Sequence, residues 1–151
     1  MPLIRLATFV ERVSRNVNAD ESQDRERKEK PMAITLAEAE KAIQASKAKA
    51  EEMGLRMSIA VVDPRGDPVA VLRMDGASYV TFAVARGKAF AAAIWGRLSG
   101  EMLGLADHPV FRSVVMMEEG RLILGQGGVP IKKGEEIVGA VGASGCSGQG
   151  R

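Results

Sequence analysis

The sequence predicts an α+β fold, in which helices flank an antiparallel sheet of about five strands. Two observations support this prediction. Apolar residues recur at helical spacing in two long segments, and the segments between and after them have the apolar pattern of strands. The predicted elements follow the order helix, hairpin, helix and three strands, so neighbouring strands can pair through short turns. With 151 residues, the chain has room for one core.

The first predicted helix covers residues 35–53. It begins at a capping box, in which the Thr35 hydroxyl and the Glu38 carboxylate satisfy free backbone N–H groups of the first turn. Apolar residues follow at helical spacing, and Gly54 is a suitable terminator because glycine readily adopts a positive φ.

A β-hairpin is predicted after this helix, with strands at 57–62 and 68–73. The turn between them, at 63–67, contains Pro64, which fixes φ, and Gly66, which can take a positive φ.

A second helix is predicted at 79–95, with Ser78 as its cap. Its many alanines allow it to lie close to a sheet. The remaining expectations are a short helix from Ser99 to about Gly104, an unassigned segment at 110–117, strands at 121–124, 129–132 and 136–143, and a last hairpin turn at 133–135.

The composition divides the chain into two parts. The segment 16–30 is almost wholly polar and cannot bury enough apolar surface to offset the entropy lost on ordering. We therefore expect a disordered tail at 1–31 and a globular domain at 32–151.

Charge and hydropathy exclude several classes of function. The formal net charge is only +2, and no basic stripe with interleaved aromatic residues is present, so we expect no nucleic-acid partner. No stretch approaches the roughly 20 apolar residues of a membrane-spanning helix, so we expect no membrane partner. The single cysteine, Cys146, cannot form a disulfide within the chain, which favours a cytoplasmic location.

Two glycine-rich segments, 125–131 and 137–145, are the most informative feature of the chain. Glycine inside a strand pattern costs stability, because it loses more backbone entropy than other residues and offers no side chain to pack. Close approach of another backbone or of a ligand commonly offsets this cost. We therefore expect the functional site beside these segments.

Five segments in the same order resemble the GlcG/HbpS-type haem-binding proteins, which include the C-terminal domain of some PduO-type corrinoid adenosyltransferases. They are 58–63 (Ser-Ile-Ala-Val-Val-Asp), 73–77 (Arg-Met-Asp-Gly-Ala), 86–90 (Arg-Gly-Lys-Ala-Phe), 127–131 (Gly-Gly-Val-Pro-Ile) and 138–145 (Val-Gly-Ala-Val-Gly-Ala-Ser-Gly). The resemblance implies a profilin-like α/β/α sandwich that assembles into homo-oligomers. It also implies haem binding in some members, and in others a place in the catabolism of glycolate, diols or aromatic compounds.

The chain departs from this family pattern in two ways. Family chains usually continue past the Ser-Gly turn into a C-terminal helix, whereas this chain ends at Arg151. We expect a domain that lacks this helix and leaves a sheet face uncovered, unless a partner subunit or the tail covers it. One type of relative uses a histidine of the first helix as its iron ligand, and the helix predicted at 35–53 has none.

The segment 73–76 (Arg-Met-Asp-Gly) carries the first group of predicted ligand contacts, which are Arg73, Met74 and Asp75. Arg73 can pair with a carboxylate or a haem propionate through its planar guanidinium group. Asp75 can orient Arg73 or Lys88, or accept a hydrogen bond from a hydroxyl group. In the alternative interpretation, Asp75 caps the next segment and Arg73 is a solvated strand residue.

Lys88 and the glycine segment form the second group of predicted contacts. Lys88 lies within an alanine-rich helix, from which it can reach an anionic ligand or extend to solvent. Gly127, Gly128, Val129 and Pro130 can present backbone N–H groups to an anion, or can simply form a turn and bulge that begins a strand. The segment lacks the Lys-Ser/Thr of a phosphate-binding loop, which excludes a nucleotide site of that type.

His108 is the only histidine and therefore the best candidate for an iron ligand. It precedes Pro109, so a loop is expected there, and the alternative is an ordinary surface residue. No cluster of His, Cys and carboxylate residues has the spacing of a metal site.

Three functions follow from these observations. The first is a small-molecule binding protein for haem or a related tetrapyrrole, acting as carrier, sensor or scavenger. The second is an enzyme or accessory protein in the catabolism of a small hydroxy- or oxo-acid, with Arg73, Asp75 and Lys88 holding the acid. The third is a structural homo-oligomer in which the glycine strands pack against a neighbouring subunit.

Overall fold

The structure is a computed structural model that describes residues 33–147. Its helices are α1 (Leu36–Glu52), α2 (Tyr79–Trp95) and α3 (Pro109–Met117), and a 3-10 helix spans Ser99–Leu105. Its strands are β1 (Leu55–Val62), β2 (Pro68–Arg73), β3 (Gly128–Lys133) and β4 (Glu136–Ser147). The strands form one antiparallel sheet in the order β2-β1-β4-β3. The predicted α+β class, with helices flanking an antiparallel sheet, is confirmed.

The predicted count of about five strands was too high, since the described residues form four strands. The segment 121–124 is not a strand. Its Ile123 N–H donates to the Gly87 carbonyl oxygen of α2 at 3.2 Å, and Leu122 is buried against Phe90 and Met102. This segment therefore packs and hydrogen-bonds against α2 and does not pair with a neighbouring strand.

Local signals placed the first elements correctly. The Glu38 N–H donates to the Thr35 hydroxyl at 3.3 Å, and the Glu38 carboxylate accepts from the Thr35 N–H at 2.9 Å, which completes the capping box of α1. In the β1–β2 turn, the Asp63 carboxylate accepts from the Arg65 and Asp67 N–H groups at 2.8 and 3.0 Å. Gly66 in this turn has φ of 85°.

The sheet has a different helix on each face. On one face, α1 packs mainly on β1 and β2, and its buried cluster consists of Ile34, Ala39, Ile43, Ile59, Val61 and Val138. On the other face, α2 packs on β4, β1 and β3, and its buried cluster consists of Val62, Ala89, Ala92, Ala93 and Ala140. Cross-strand register places Arg73, Ser58 and Ser144 in one row on this second face.

On the α1 face, the β3–β4 half of the sheet is only partly covered. Val129 is exposed there, and Val141 and Ala143 are half-buried. The expectation that this face lacks the cover of a C-terminal helix stays a prediction. Residues 1–32, which contain the predicted tail, and residues 148–151, where a C-terminal helix would begin, lie outside the described residues. All described residues belong to one compact unit.

Candidate functional site

Lys88 is the charged residue around which the candidate site is built. It lies on α2, half-buried, and its Nζ donates to the Ala143 carbonyl oxygen at 3.4 Å. Ala143 lies one residue beyond Gly142, which pairs with Gly128 at the end of the β3–β4 ladder. The Ala143 N–H donates to the Gly127 carbonyl oxygen at 2.8 Å. The ammonium group therefore lies beside the first residue of β3.

The Lys88 ammonium has no carboxylate partner among residues 33–147. Burial lowers the pKa of Lys88 below its ordinary value, because desolvation disfavours the charged form. An ammonium group has three N–H donors, and the structure assigns one of them to a protein acceptor. A partly desolvated cation with free donors is a suitable partner for an anion.

The glycine segment is fastened beside Lys88 by Ser99. The fully buried Ser99 hydroxyl donates to the Gly125 carbonyl oxygen and accepts from the Gly128 N–H at 2.8 Å. Between these two residues, Gly127 has φ of 117°, which favours glycine. A Cβ at Gly127 would lie 2.6 Å from the Ala143 carbonyl oxygen and 3.5 Å from Lys88 Nζ. Glycine thus allows this backbone to lie directly against the ammonium group.

A cavity of about 400 Å³, open to solvent, lies on the other side of the glycine segment. Its lining consists of Leu98, Gly100, Glu101, Gln126, Gly127, Gly128 and Val129. Leu98 and Val129, both exposed, are its apolar lining residues. Glu101 forms an ion pair with Arg97 at 3.6 Å. Gly127 therefore both lines the cavity and lies against a cation that has no carboxylate partner within residues 33–147.

His108 has a structural role in the described residues. It is the N-cap of α3, and its Nδ1 accepts from the Val110 N–H at 3.3 Å. A neutral imidazole that accepts at Nδ1 carries its proton on Nε2. The ring is exposed and packs edge-on against Phe111, with centroids 6.2 Å apart, and it does not line the cavity.

The comparisons with known proteins identify the family. The family model described as "Haem degrading protein HbpS-like" matches residues 34–150. The chain belongs to the HbpS-like family. It is 30% identical over 113 residues to the "Uncharacterized 15.0 kDa protein in dhaT-dhaS intergenic region" of Citrobacter freundii, a match that covers 74% of this chain and 80% of that protein.

Solved structures agree with this HbpS-like assignment. Protein ORFY of Klebsiella pneumoniae superposes with a TM-score of 0.71 at 27% identity, covering 80% of this chain and 84% of that one. A double mutant of HbpS from Streptomyces reticuli superposes with a TM-score of 0.67 at 27% identity, covering 80% of each chain. The PduOC:Heme complex superposes with a TM-score of 0.68 at 20% identity, covering 76% of this chain and 84% of that one, and shows a shared fold.

The structure brings together only part of the site predicted for this HbpS-like chain. Lys88 lies against Gly127 and Gly128, and Val129 lines the cavity next to them. Pro130 is half-buried in β3, opposite Ala140.

The segment 73–76 lies elsewhere on the HbpS-like fold, at the end of β2. Arg73 and Asp75 are exposed and do not line the cavity, and no hydrogen bond or ion pair joins Asp75 to Arg73 or to Lys88. The Met74 N–H donates to the Met57 carbonyl oxygen at 2.9 Å. Arg73 nevertheless shares the sheet face on which α2 packs.

Sequence reasoning missed four lining residues of the cavity in this HbpS-like chain, namely Leu98, Gly100, Glu101 and Gln126. One signal was available, because Ser99 was identified as the cap of a short helix and stands between two of them. Gln126 lies within the glycine segment, and neither its residue type nor its spacing marks it as a lining residue.

The residues around the cavity fit the porphyrin part of haem better than its iron. Ligand cavities commonly measure about 300–1,000 Å³ and have mostly apolar walls with a few polar groups. Leu98 and Val129 can contact a ring plane, and Lys88 can pair with a carboxylate. None of the lining residues is a His, Cys, Met or Tyr, the side chains that commonly ligate haem iron.

Residues 33–147 of this HbpS-like chain contain neither a cluster of metal ligands nor a membrane-spanning helix. Within this range, no group of three or more His, Cys, Asp or Glu residues is arranged to hold a metal ion. None of the helices in the same range is both long and apolar enough to span a bilayer.

Proposed function

We propose that this protein binds haem or a related tetrapyrrole in the cavity formed by the 3-10 helix and the glycine segment. The observation that carries the proposal is the half-buried Lys88 ammonium, which has no carboxylate partner in the described chain and lies 3.5 Å from the Cβ position of Gly127. Membership of the HbpS-like family supports it, and so does a fold on which a complex with heme has been solved.

Each group around the cavity has a defined part in this proposal. The side chains of Leu98 and Val129 contact the ring and exclude water from its face, which is the favourable burial of apolar surface. Lys88 does not line the cavity, so a carboxylate of the ring would have to extend past Gly127 to pair with its ammonium group, in a charge-assisted hydrogen bond that is stronger than a neutral one.

The bound group would supply the redox and ligand-binding chemistry of its iron, while the chain supplies the binding site. A carrier, sensor or scavenger needs the group to stay intact. The family description names haem degradation, so degradation belongs to the same proposal. The Soret band distinguishes degradation from these other roles. Degradation removes the band over time, whereas a carrier, sensor or scavenger preserves it.

The test is a titration of the purified full chain with hemin, followed by absorbance. We expect a saturable shift of the Soret band with one ligand per chain. Leu98→Glu places a charge in the apolar lining and should weaken binding at least about tenfold. Leu103→Glu is the matched control. Leu98 is the N-cap of the 3-10 helix, and Leu103 is an exposed residue within that helix but does not line the cavity.

If Leu98→Glu and Leu103→Glu bind hemin equally well, the cavity is not the binding site. If the wild-type titration does not saturate, tetrapyrrole binding itself is excluded.

A second candidate is a small hydroxy- or oxo-acid, bound in connection with its catabolism. Lys88 also favours this function, because a cation with no carboxylate partner in the described part of the chain can hold the carboxylate of any small acid. The test is the thermal stability of the protein in millimolar glycolate, lactate or pyruvate. Stabilisation by one acid that Lys88→Met abolishes would favour this candidate over haem.

We also propose that the chain assembles into homo-oligomers. The supporting observation is the exposed apolar surface of α3, where Val110, Met116 and Met117 are 60%, 79% and 79% exposed. Light scattering coupled to size exclusion would report the mass in solution. Replacement of Met116 and Met117 by serine should reduce that mass if α3 forms the interface.

A further inference from the structure

The side chains that could ligate haem iron do not line the cavity. The sequence contains one histidine, one cysteine, one tyrosine and eight methionines, and none of those within residues 33–147 is a lining residue. Tyr79 is 83% exposed at the first position of α2 and does not line the cavity. Cys146 lies in β4 opposite Arg56, four residues beyond Gly142.

The only histidine of the sequence already makes a hydrogen bond within the chain. His108 Nδ1 accepts from the Val110 N–H at the start of α3. Ligation of iron through Nε2 requires the lone pair on Nε2, which moves the ring proton to Nδ1. Nδ1–H and the Val110 N–H would then be two donors facing each other, and the cap would be lost. Ligation through Nδ1 would displace the same N–H, so either mode opposes the cap of α3.

The groups that do surround the cavity do not sense a metal. Burial of the Leu98 and Val129 side chains depends on the apolar surface of a ring and not on the atom at its centre. Lys88 does not line the cavity and lies against Gly127, and its ammonium group responds to a carboxylate, which haem and metal-free porphyrin share. Both contacts would therefore be the same for a porphyrin with or without iron.

We infer that this chain recognises a tetrapyrrole by its ring surface and its carboxylates, so that haem and the metal-free porphyrin bind with similar affinity. The inference rests on the proposed function, and it specifies the ligand class as carboxylate-bearing tetrapyrroles irrespective of the metal. The His108 imidazole takes no part in binding and serves as a helix cap.

The experiment compares hemin with protoporphyrin IX on the full chain. Hemin binding is followed by absorbance, and protoporphyrin binding by its fluorescence. We expect the two dissociation constants to agree within about threefold. The same pair of titrations is repeated with His108→Asn, because asparagine is a good N-cap and removes the imidazole. We expect this variant to keep both affinities and the wild-type Soret position of the hemin complex. Cys146→Ser should behave in the same way.

Three outcomes would contradict the inference, and they differ in what else they affect. Saturable binding of hemin together with protoporphyrin binding more than about tenfold weaker would overturn it and leave the proposed function intact. A changed Soret position in His108→Asn or Cys146→Ser would identify that residue as an iron ligand and would also leave the proposed function intact. Failure of hemin itself to bind saturably would remove the proposed function and the inference together.

Discussion

Gly128 and Gly142 face each other across the β3–β4 ladder, and both lie against the backbone of α2. A Cβ at Gly128 would meet the Lys88 carbonyl oxygen, and one at Gly142 would meet the Ala85 carbonyl oxygen and lie 2.7 Å from the Ala89 nitrogen. These two glycines therefore serve contact within the chain. The close packing of α2 on the sheet is what brings the Lys88 side chain to Ala143.

This packing predicts that Gly142→Ala lowers the free energy of unfolding by at least about 1–3 kcal/mol, because the new methyl group meets backbone atoms that cannot move aside. Urea denaturation measures the change. Gly104→Ala is the control, since a Cβ at Gly104 meets nothing within 4 Å. We expect it to stay within about 0.5 kcal/mol of the wild type. Equal stability of the two variants would contradict the close approach of α2.

The ion pair between Glu38 and Lys133, with 2.5 Å between Oε1 and Nζ, joins the first turn of α1 to the β3–β4 hairpin. The Lys133 ammonium, and after it the Thr35 N–H and hydroxyl groups, lower the pKa of Glu38 from 4.5 to about 2. A carboxyl group with a lowered pKa stabilises the folded state above its unfolded pKa, and the contribution is lost as the pH falls towards the folded pKa.

We therefore expect wild type to be more stable than Glu38→Gln at pH 7, and this difference to shrink as the pH falls from about 4.5 to about 2. Glutamine preserves the capping box, so the comparison isolates the charge. Thermal unfolding of both proteins across this range measures it. When both proteins also carry Lys133→Met, the difference in stability between the Glu38 protein and the Glu38→Gln protein at pH 7 should be smaller. An unchanged difference would show that the ion pair with Lys133 does not contribute to stability.

The cap formed by His108 predicts different effects of two substitutions on stability. His108→Ala should lower the free energy of unfolding by roughly 0.5 kcal/mol or more, because the Val110 N–H loses its acceptor. His108→Asn should retain or increase stability, since asparagine caps helices well. Denaturation with urea distinguishes the two. A His108→Asn protein as unstable as His108→Ala would show that the imidazole is needed for another reason.

Arg73 remains a predicted ligand contact, and its exposed position at the end of β2 sets the size of the expected effect. A solvent-exposed ion pair is worth about 0–1 kcal/mol, so Arg73→Ala should weaken hemin binding by no more than about fivefold. Arg65→Ala, in the exposed β1–β2 turn, is the control and should have no effect. A loss larger than that of Lys88→Met would place the main anion contact at Arg73.

Local signals were enough to predict much of the fold. The capping box of Thr35 and Glu38 and the turn at 63–67 are set by neighbouring residues, so the sequence predicted them well. The start of α3 was missed, although Pro109 at its first position is a known signal for a helix start. The run from Val110 to Met117 is largely apolar, so the helical spacing of its apolar residues cannot be recognised.

The site was predictable only in its parts. Lys88 was a candidate, but its acceptor Ala143 lies 55 residues away in sequence, and Ser99 lies 26 residues from the Gly125 carbonyl that it binds. Periodicity and spacing contain no information on such pairs. The glycines were read as a place for close approach, and only the structure assigns Gly128 and Gly142 to α2 and leaves Gly127 between Lys88 and the cavity.

The most direct test of the proposed site is the hemin affinity of Lys88→Met, with Lys41→Met as control. Methionine keeps the length and apolar part of the side chain but removes the ammonium group, while Lys41 is exposed on α1, away from the cavity. We predict that Lys88→Met weakens hemin binding at least about tenfold, as expected for loss of a charge-assisted hydrogen bond, and that Lys41→Met binds like wild type. Equal affinity of Lys88→Met and wild type, with both proteins folded, would contradict the central claim that Lys88 holds the ligand.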